Sequence, residues 1–342
     1  MKIDADKQYV FREGQSFQSS HGSTVAILPS GLVIVAWFAG LHEKSSDTAI
    51  WMAIKEQGGS WSTPHKVADE QGIAHWNPVL YTQGSSLVLF YKVGHEITDW
   101  HTRCMRSEDG GQTWTAAREL VSGDVGGRGP VRNHPVQLAD GTILAPASVE
   151  RVDPENPDKQ VWEAFVDIST DEGRTWIKSA PVPMNLSVYV GAEHWFAKGL
   201  IQPALWASSD SDAEHVHMLL RSTEGWIYRS DSGDGGHTWC EAYPTELPNN
   251  NSGIDVTRME SGLLALVYNP VSGYSTESPR TPLVVAFSND NGETWGDEFV
   301  LEDEPGEYSY PAIVSQGQSL YITYTWKRDR VAFWKLNVQS SE

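Results

Sequence analysis

Short apolar runs, each closed off by turn residues, set the pattern of this chain. Segments 24–28, 32–37, 87–91, 263–268 and 320–324 are rich in Val, Ile, Leu and aromatic residues and are bounded by Gly, Pro, Asp or Ser, which predicts short strands. Tight turns such as Pro29-Ser30-Gly31, Ala139-Asp140-Gly141 and Glu260-Ser261-Gly262 join neighbouring runs as hairpins. No stretch offers a long amphipathic helix.

An eight-residue motif, Ser-x-Asp-x-Gly-x-Thr-Trp, recurs at Ser107–Trp114, Ser169–Trp176, Ser232–Trp239 and Ser288–Trp295. A degenerate copy, Glu56 to Trp61, extends the series backwards. The Gly permits positive φ, the Asp bonds its own turn and the Trp is large enough to pin a hairpin to its neighbour, so this is turn chemistry. The repeat is about one antiparallel sheet long. Counting from the first hairpin predicts sheets at about 20–67, 75–121, 130–184, 198–246, 251–301 and 306–337. This is an all-β chain, expected as a single domain over 1–342: a six-bladed β-propeller of four-stranded antiparallel blades. A strand at Gln8–Arg12 is expected to close the ring.

Repeated boxes of this kind on a propeller resemble the sialidase (neuraminidase) superfamily, and the likeness spans nearly the whole chain. The boxes lie on outer turns, so they point to fold more than to activity.

Composition narrows the partners. With 25 basic and 45 acidic residues the formal charge is −20, which opposes nucleic acid and anionic membrane surfaces. A local arginine cluster can still hold a small anionic sugar, so the expected partner is a glycan or oligosaccharide; oligomeric state is not legible. The chain shows no signal-like segment and has two cysteines, Cys104 and Cys240, for which cytoplasmic residence is the simplest reading. Ser208–Asp212 and Asp153–Asp158 read as polar loops and Ser340–Glu342 as a polar tail. His215 and His217 share a strand face, but no metal-ligand pattern forms and no cofactor is expected.

In a propeller the innermost strands converge on the axis, and the candidate inner strands here are polar. They contain His21, His75-Trp76-Asn77-Pro78, Arg128 to His134, Ile201-Gln202-Pro203, Asn249 to Asp255, and Tyr308-Ser309-Tyr310-Pro311. Polar groups on the axis cost stability unless a partner, ligand or water satisfies them, so a working pocket is expected there.

The resemblance then implies roles. Sialidases hold their substrate carboxylate with three arginines, whose planar forks match it. Arg221 and Arg280 resemble the second and third; His21 stands where the first is expected, and Arg132 and Arg128 can restore positive charge. Asp47 is similar in position to the family's acid/base, with Glu43 the nearest substitute. Tyr308, in Tyr308-Ser309, resembles the tyrosine nucleophile. Gln202 holds the place of the glutamate base and cannot accept a proton, which leaves Asp255, Glu150 and His21 as candidates for that role, with no choice among them written in the sequence. The run Tyr324-Thr325-Trp326 lacks the family's second glutamate. Gln202, Arg132, Asn133, Asn251, Asp255 and Tyr310 are expected to shape the substrate site, with Trp76 and Trp206 as stacking walls.

The implied activity is a sialidase-like exo-glycoside hydrolase removing a terminal, acidic sugar. The alternatives are a polysaccharide lyase on uronate-containing oligosaccharides and a sugar-binding propeller without turnover.

Overall fold

The structure, a computed structural model, describes all residues except 190–195, 210–211, 274–278 and 340–342. The tail Ser340–Glu342 and part of the 208–212 loop therefore lie outside the described residues. Among the described residues the only helix is a 3₁₀ turn at Leu186–Val188.

Strand β1 (Lys2–Tyr9) precedes a first sheet of β2 (Ser19–Ile27), β3 (Val33–Gly40), β4 (Ala49–Lys55) and β5 (His65–Ala68). The second contains β6 (His75–Gln83), β7 (Ser86–Val93), β8 (His101–Ser107) and β9 (Arg118–Glu119). Next come β10 (Val136–Gln137), β11 (Ile143–Asp153), β12 (Asn156–Ser169) and β13 (Ile177–Lys178), then β14 (Ala197–Ser209), β15 (Asp212–Ser222), β16 (Trp226–Ser232) and β17 (Tyr243–Pro248), all in one sheet. A further sheet holds β18 (Asp255–Arg258), β19 (Leu264–Tyr268), β20 (Leu283–Ser288) and β21 (Gly296–Glu302). The last holds β22 (Tyr308–Gln316), β23 (Ser319–Trp326) and β24 (Arg330–Gln339), with β1 added beside β24.

The result is an all-β propeller, but the count of six separate blades is corrected. Four four-stranded sheets stand apart, and the remaining eight strands form one sheet. Its two halves join because β12 is long: Gln160–Trp162 pair in parallel with Ala197–Gly199 of β14, satisfying backbone groups that a shorter strand would leave as an edge. The closing strand also runs earlier than Gln8–Arg12, with Lys2↔Gln339 through Tyr9↔Ala332 in antiparallel register.

The boxes fasten each group of strands to the one before it, within the eight-stranded sheet as well as between sheets. In the first, Ser107 Oγ accepts from Gly111 N–H at 2.8 Å, while Asp109 accepts from Thr113 N–H at 2.8 Å and from its hydroxyl at 2.6 Å. The same contacts recur around Asp171, Asp234 and Asp290. Trp114 packs into the core of the first sheet, Trp176 lies edge-on to Phe90, and Trp239 packs beside Leu144. The degenerate copy does the same at the seam, where the Trp61 ring meets Phe333 of β24 at 5.1 Å. A large aromatic thus fastens successive sheets, and its removal from such a site costs about 3–5 kcal/mol.

The inner strands share a second device. Register breaks lie between His21 and Thr24 in β2, Trp76 and Val79 in β6, Ile201 and Ala204 in β14, and Ser309 and Ala312 in β22. In three of these bulges a non-glycine residue adopts positive φ immediately before a proline: Asn77 at 37°, Gln202 at 54° and Tyr310 at 53°. A β-bulge re-aims side chains, and left-handed backbone at bulky residues is strained.

Candidate active site

The bulges deliver a polar pocket of about 250 Å³, lined in part by Asn77, Gln202, Arg221, Asn251, Arg280 and Tyr310. Trp76, Trp100, Trp162 and Phe196 wall it, and Glu43 and Glu150 supply carboxylates. A larger cleft of about 590 Å³ opens over Tyr81, Phe90 and Trp176. Its rim arginines are already engaged, Arg106 by Glu108, Arg118 by the Gly173 carbonyl and Arg174 by Glu172. The smaller pocket is therefore the better candidate for chemistry.

Tyr310 is its centre. Arg221 Nη1 and Gln202 Nε2 point at the Tyr310 hydroxyl from 3.3 and 3.5 Å, and Arg280 stands 5.9 Å from the ring. Burial pushes the phenol pKa up, but Arg221, then Arg280 and the Gln202 contact, outweigh it together with Glu43, and the net shift is downward. Arg221 is itself held by Asn251 Oδ1 at 2.8 Å and Gln202 Oε1 at 3.1 Å. Arg280 lies 3.6 Å from Glu307.

The carboxylates differ. Glu150 is driven upward by burial, against Arg221 and Lys44, so its proton is held more tightly than that of an ordinary carboxyl. Glu43 is clamped by Arg328 at 2.7 Å, an arginine whose position the sequence reading missed. Arg328 also bonds Glu307 at 2.9 Å.

Several expected site residues sit elsewhere. Tyr308, expected to offer the phenol, is 1 % exposed and packs with Leu283, Val285 and Tyr324 in an apolar cluster; the bulge two residues later turns Tyr310 inward instead. Asp47 is exposed, and its carboxylate turns back to accept from Leu41 N–H at 3.0 Å, so Glu43 of the same loop reaches the pocket in its place. His21 is buried with Nδ1 2.8 Å from Thr325 Oγ1 and its ring edge-on to Tyr310 at 4.3 Å. Burial, with Arg328, Arg280, Arg132 and Arg221 nearby, pulls its pKa well below the usual range, so it supports Tyr310 as a neutral ring.

Arg132 and Asn133 hold the bulges from behind. Arg132 donates to the Tyr310 and Pro311 carbonyls, and Asn133 to those of Gln202 and Pro203 at 3.1 and 3.0 Å. Asp255 accepts from Ile313 N–H at 2.8 Å and ties β18 to β22. Arg128 pairs with buried Asp167. Trp76 does line the pocket; Trp206 is buried and stacks on His217 instead. Gln202, Asn251, Arg221, Arg280 and Tyr310 all line the pocket.

Among solved structures, a protein of unknown function from Dyadobacter fermentans superposes with a TM-score of 0.76 at 15% identity, covering 98% of this chain and 99% of that one. Hadza microbial sialidase Hz136 gives 0.76 at 14% identity over 96% of this chain and 68% of that one. Trypanosoma rangeli sialidase in complex with sialic acid gives 0.67 at 12% identity over 97% of this chain, which spans only 58% of that protein. These likenesses concern the fold. No curated protein matches in sequence. A family model described as BNR repeat-like domain matches residues 31–322, and on that match the chain belongs to the BNR repeat-like domain family.

Proposed function

We propose that this protein is an exo-acting glycoside hydrolase of sialidase type that removes a terminal acidic sugar from a glycan. The observation that carries the reading is the convergence of Arg221 and Arg280 on the Tyr310 phenol in a pocket of about 250 Å³. Two guanidinium groups bind the sugar's anion, and the aromatic walls stack on its ring. In this reading the eight-stranded sheet serves as two blades of a sixfold ring, which brings its Arg221 to the same axis as Tyr310.

Tyr310 acts as nucleophile or as electrostatic stabiliser of the oxocarbenium-like transition state. A phenol suits an anomeric carbon beside a carboxylate, where a charged nucleophile is repelled. Glu150, with its raised pKa, is the general acid that protonates the leaving oxygen and then the base that activates water. Similar solved structures of sialidases, one of them in complex with sialic acid, support the substrate class.

One observation favours a second reading. Both side chains that reach the Tyr310 oxygen are donors, which suits a phenolate abstracting a proton from a uronate whose carboxylate the arginines neutralise. That reaction is elimination by a polysaccharide lyase.

The test is release of free sugar from a fluorogenic sialoside and from a panel of acidic oligosaccharides. Hydrolysis gives saturated products and elimination gives products with a conjugated, ultraviolet-absorbing double bond. Absence of turnover on every anionic glycan, with ligand still bound, would favour the non-catalytic sugar-binding alternative.

A further inference from the structure

Away from the axial pocket, three adjacent strands bring a serine, a histidine and an aspartate into line. Ser208 lies on β14, His217 on β15 and Asp231 on β16, with His217 and Asp231 as cross-strand partners. Ser208 Oγ is 2.6 Å from His217 Nε2, and His217 Nδ1 is 2.5 Å from Asp231 Oδ1. These are hydrogen-bond distances for a nucleophile, a base and the group that orients the base.

The surroundings set the protonation. Asn291 Oδ1 accepts from Trp206 Nε1 at 2.9 Å, so the amide nitrogen faces His217 Nε2 at 3.0 Å and Ser208 Oγ at 3.2 Å. Two donors then point at Nε2, which must carry a lone pair, and the ring hydrogen sits on Nδ1 against Asp231. Arg229 Nε and the Tyr243 hydroxyl hold Asp231 at 2.9 and 2.7 Å. Burial raises the Asp231 pKa, but the bonds from His217, Tyr243 and Arg229 bring it down to about 2, so it stays ionised. Arg229 Nη2 lies 3.2 Å from Nδ1 on the same side. Trp206 stacks on the imidazole at 5.2 Å and fixes its plane.

We propose that Ser208, His217 and Asp231 form a second site that hydrolyses small carboxylic esters of the O-acetyl class. Ser208 Oγ attacks the ester carbonyl carbon as Nε2 takes its proton, and Asn291 Nδ2 donates to the oxyanion. The bond to the alcohol oxygen breaks and the alcohol leaves with the proton from Nε2. Water, losing a proton to Nε2, attacks the acyl-serine and releases the carboxylic acid and the serine. The acyl group must be short, because Ser208 is half-buried and the Asn291 amide stands 3.2 Å from its hydroxyl. The site is independent of the chemistry assigned to the axial pocket.

The test uses the full chain with p-nitrophenyl acetate and with a fluorophosphonate. A single phosphonyl adduct on Ser208, located by peptide mass analysis, is expected. Ser208→Ala should remove the adduct and lower ester turnover by about 10³-fold or more, and Asp231→Asn should lower turnover strongly with the serine in place. Ser208 is half-buried at a strand end, so the alanine variant should keep the wild-type melting temperature. No adduct, an adduct on another residue, or Ser208→Ala turnover equal to wild type overturns the proposal.

Discussion

Gln202 Oε1 accepts from Arg221 Nη1 at 3.1 Å, and that contact turns the amide nitrogen toward the Tyr310 hydroxyl. A residue unable to take a proton therefore does something else. It keeps a donor on the phenol oxygen and leaves the Arg221 charge unneutralised, and both stabilise the phenolate.

Gln202→Glu should reverse that effect. A carboxylate there pairs with Arg221 and repels the phenolate, so the Tyr310 pKa rises. If Tyr310 reacts as phenolate, the rising alkaline limb of the kcat/KM profile should move up by about one pH unit, and KM for an anionic substrate should increase. A pH profile identical to wild type would separate Tyr310 ionisation from the rate.

The two tyrosines of β22 should behave oppositely. Tyr310→Phe should lower kcat by about 10²-fold or more, as expected when a group that acts on the reacting centre is removed, with little change in fold. Tyr308→Phe, altering a ring packed against Tyr324 and Trp326, should leave kcat unchanged and shift melting by no more than about 1 kcal/mol. Steady-state kinetics beside thermal melts tests both, and equal loss from either variant would contradict the assignment.

This pair marks where the sequence was legible. Strand runs and boxes depend on neighbours within a few residues, so their chemistry can be read directly from the chain. The Tyr308-Ser309 resemblance pointed to Tyr308, but the strand bulges between Ser309 and Ala312, and Tyr310 at φ 53° resets the facing. The available signal was the recurrence of Asn77-Pro78, Gln202-Pro203 and Tyr310-Pro311 in inner strands. Asp47 and Glu43 share one loop, and spacing alone cannot say which carboxylate turns inward. The joining of β12 to β14 and the placement of Arg328 are long-range pairings that no local pattern encodes.

His21 predicts part of the acid sensitivity. Its folded pKa lies well below 6.5 because of burial and four nearby arginines, so the unfolded chain binds this proton more readily than the folded one. The stability it contributes is complete above about pH 6.5 and is lost as pH falls below that value. His21→Gln, which removes the titration, should flatten the fall in melting temperature between about pH 6.5 and 4.5. An unchanged slope would show that His21 is not the group responsible.

The box aspartates predict a second, lower window. Asp109, Asp171, Asp234 and Asp290 are each held at about 2, with the Thr contacts the leading downward influence in every box. Their folded pKa values lie below the ordinary carboxylate value of about 3.9, so their contribution is present above about pH 4 and disappears as pH falls toward 2. Asp109→Asn keeps the turn's shape but not its charge. It should lower the melting temperature at neutral pH, approach wild type near pH 2, and lose part of the wild-type pH dependence in between. Combining it with Asp171→Asn should be close to additive, since each box has its own threonine and serine partners. Melting curves across pH 2 to 7 would decide it, and equal destabilisation at all pH values would assign the boxes a steric role instead of an electrostatic one.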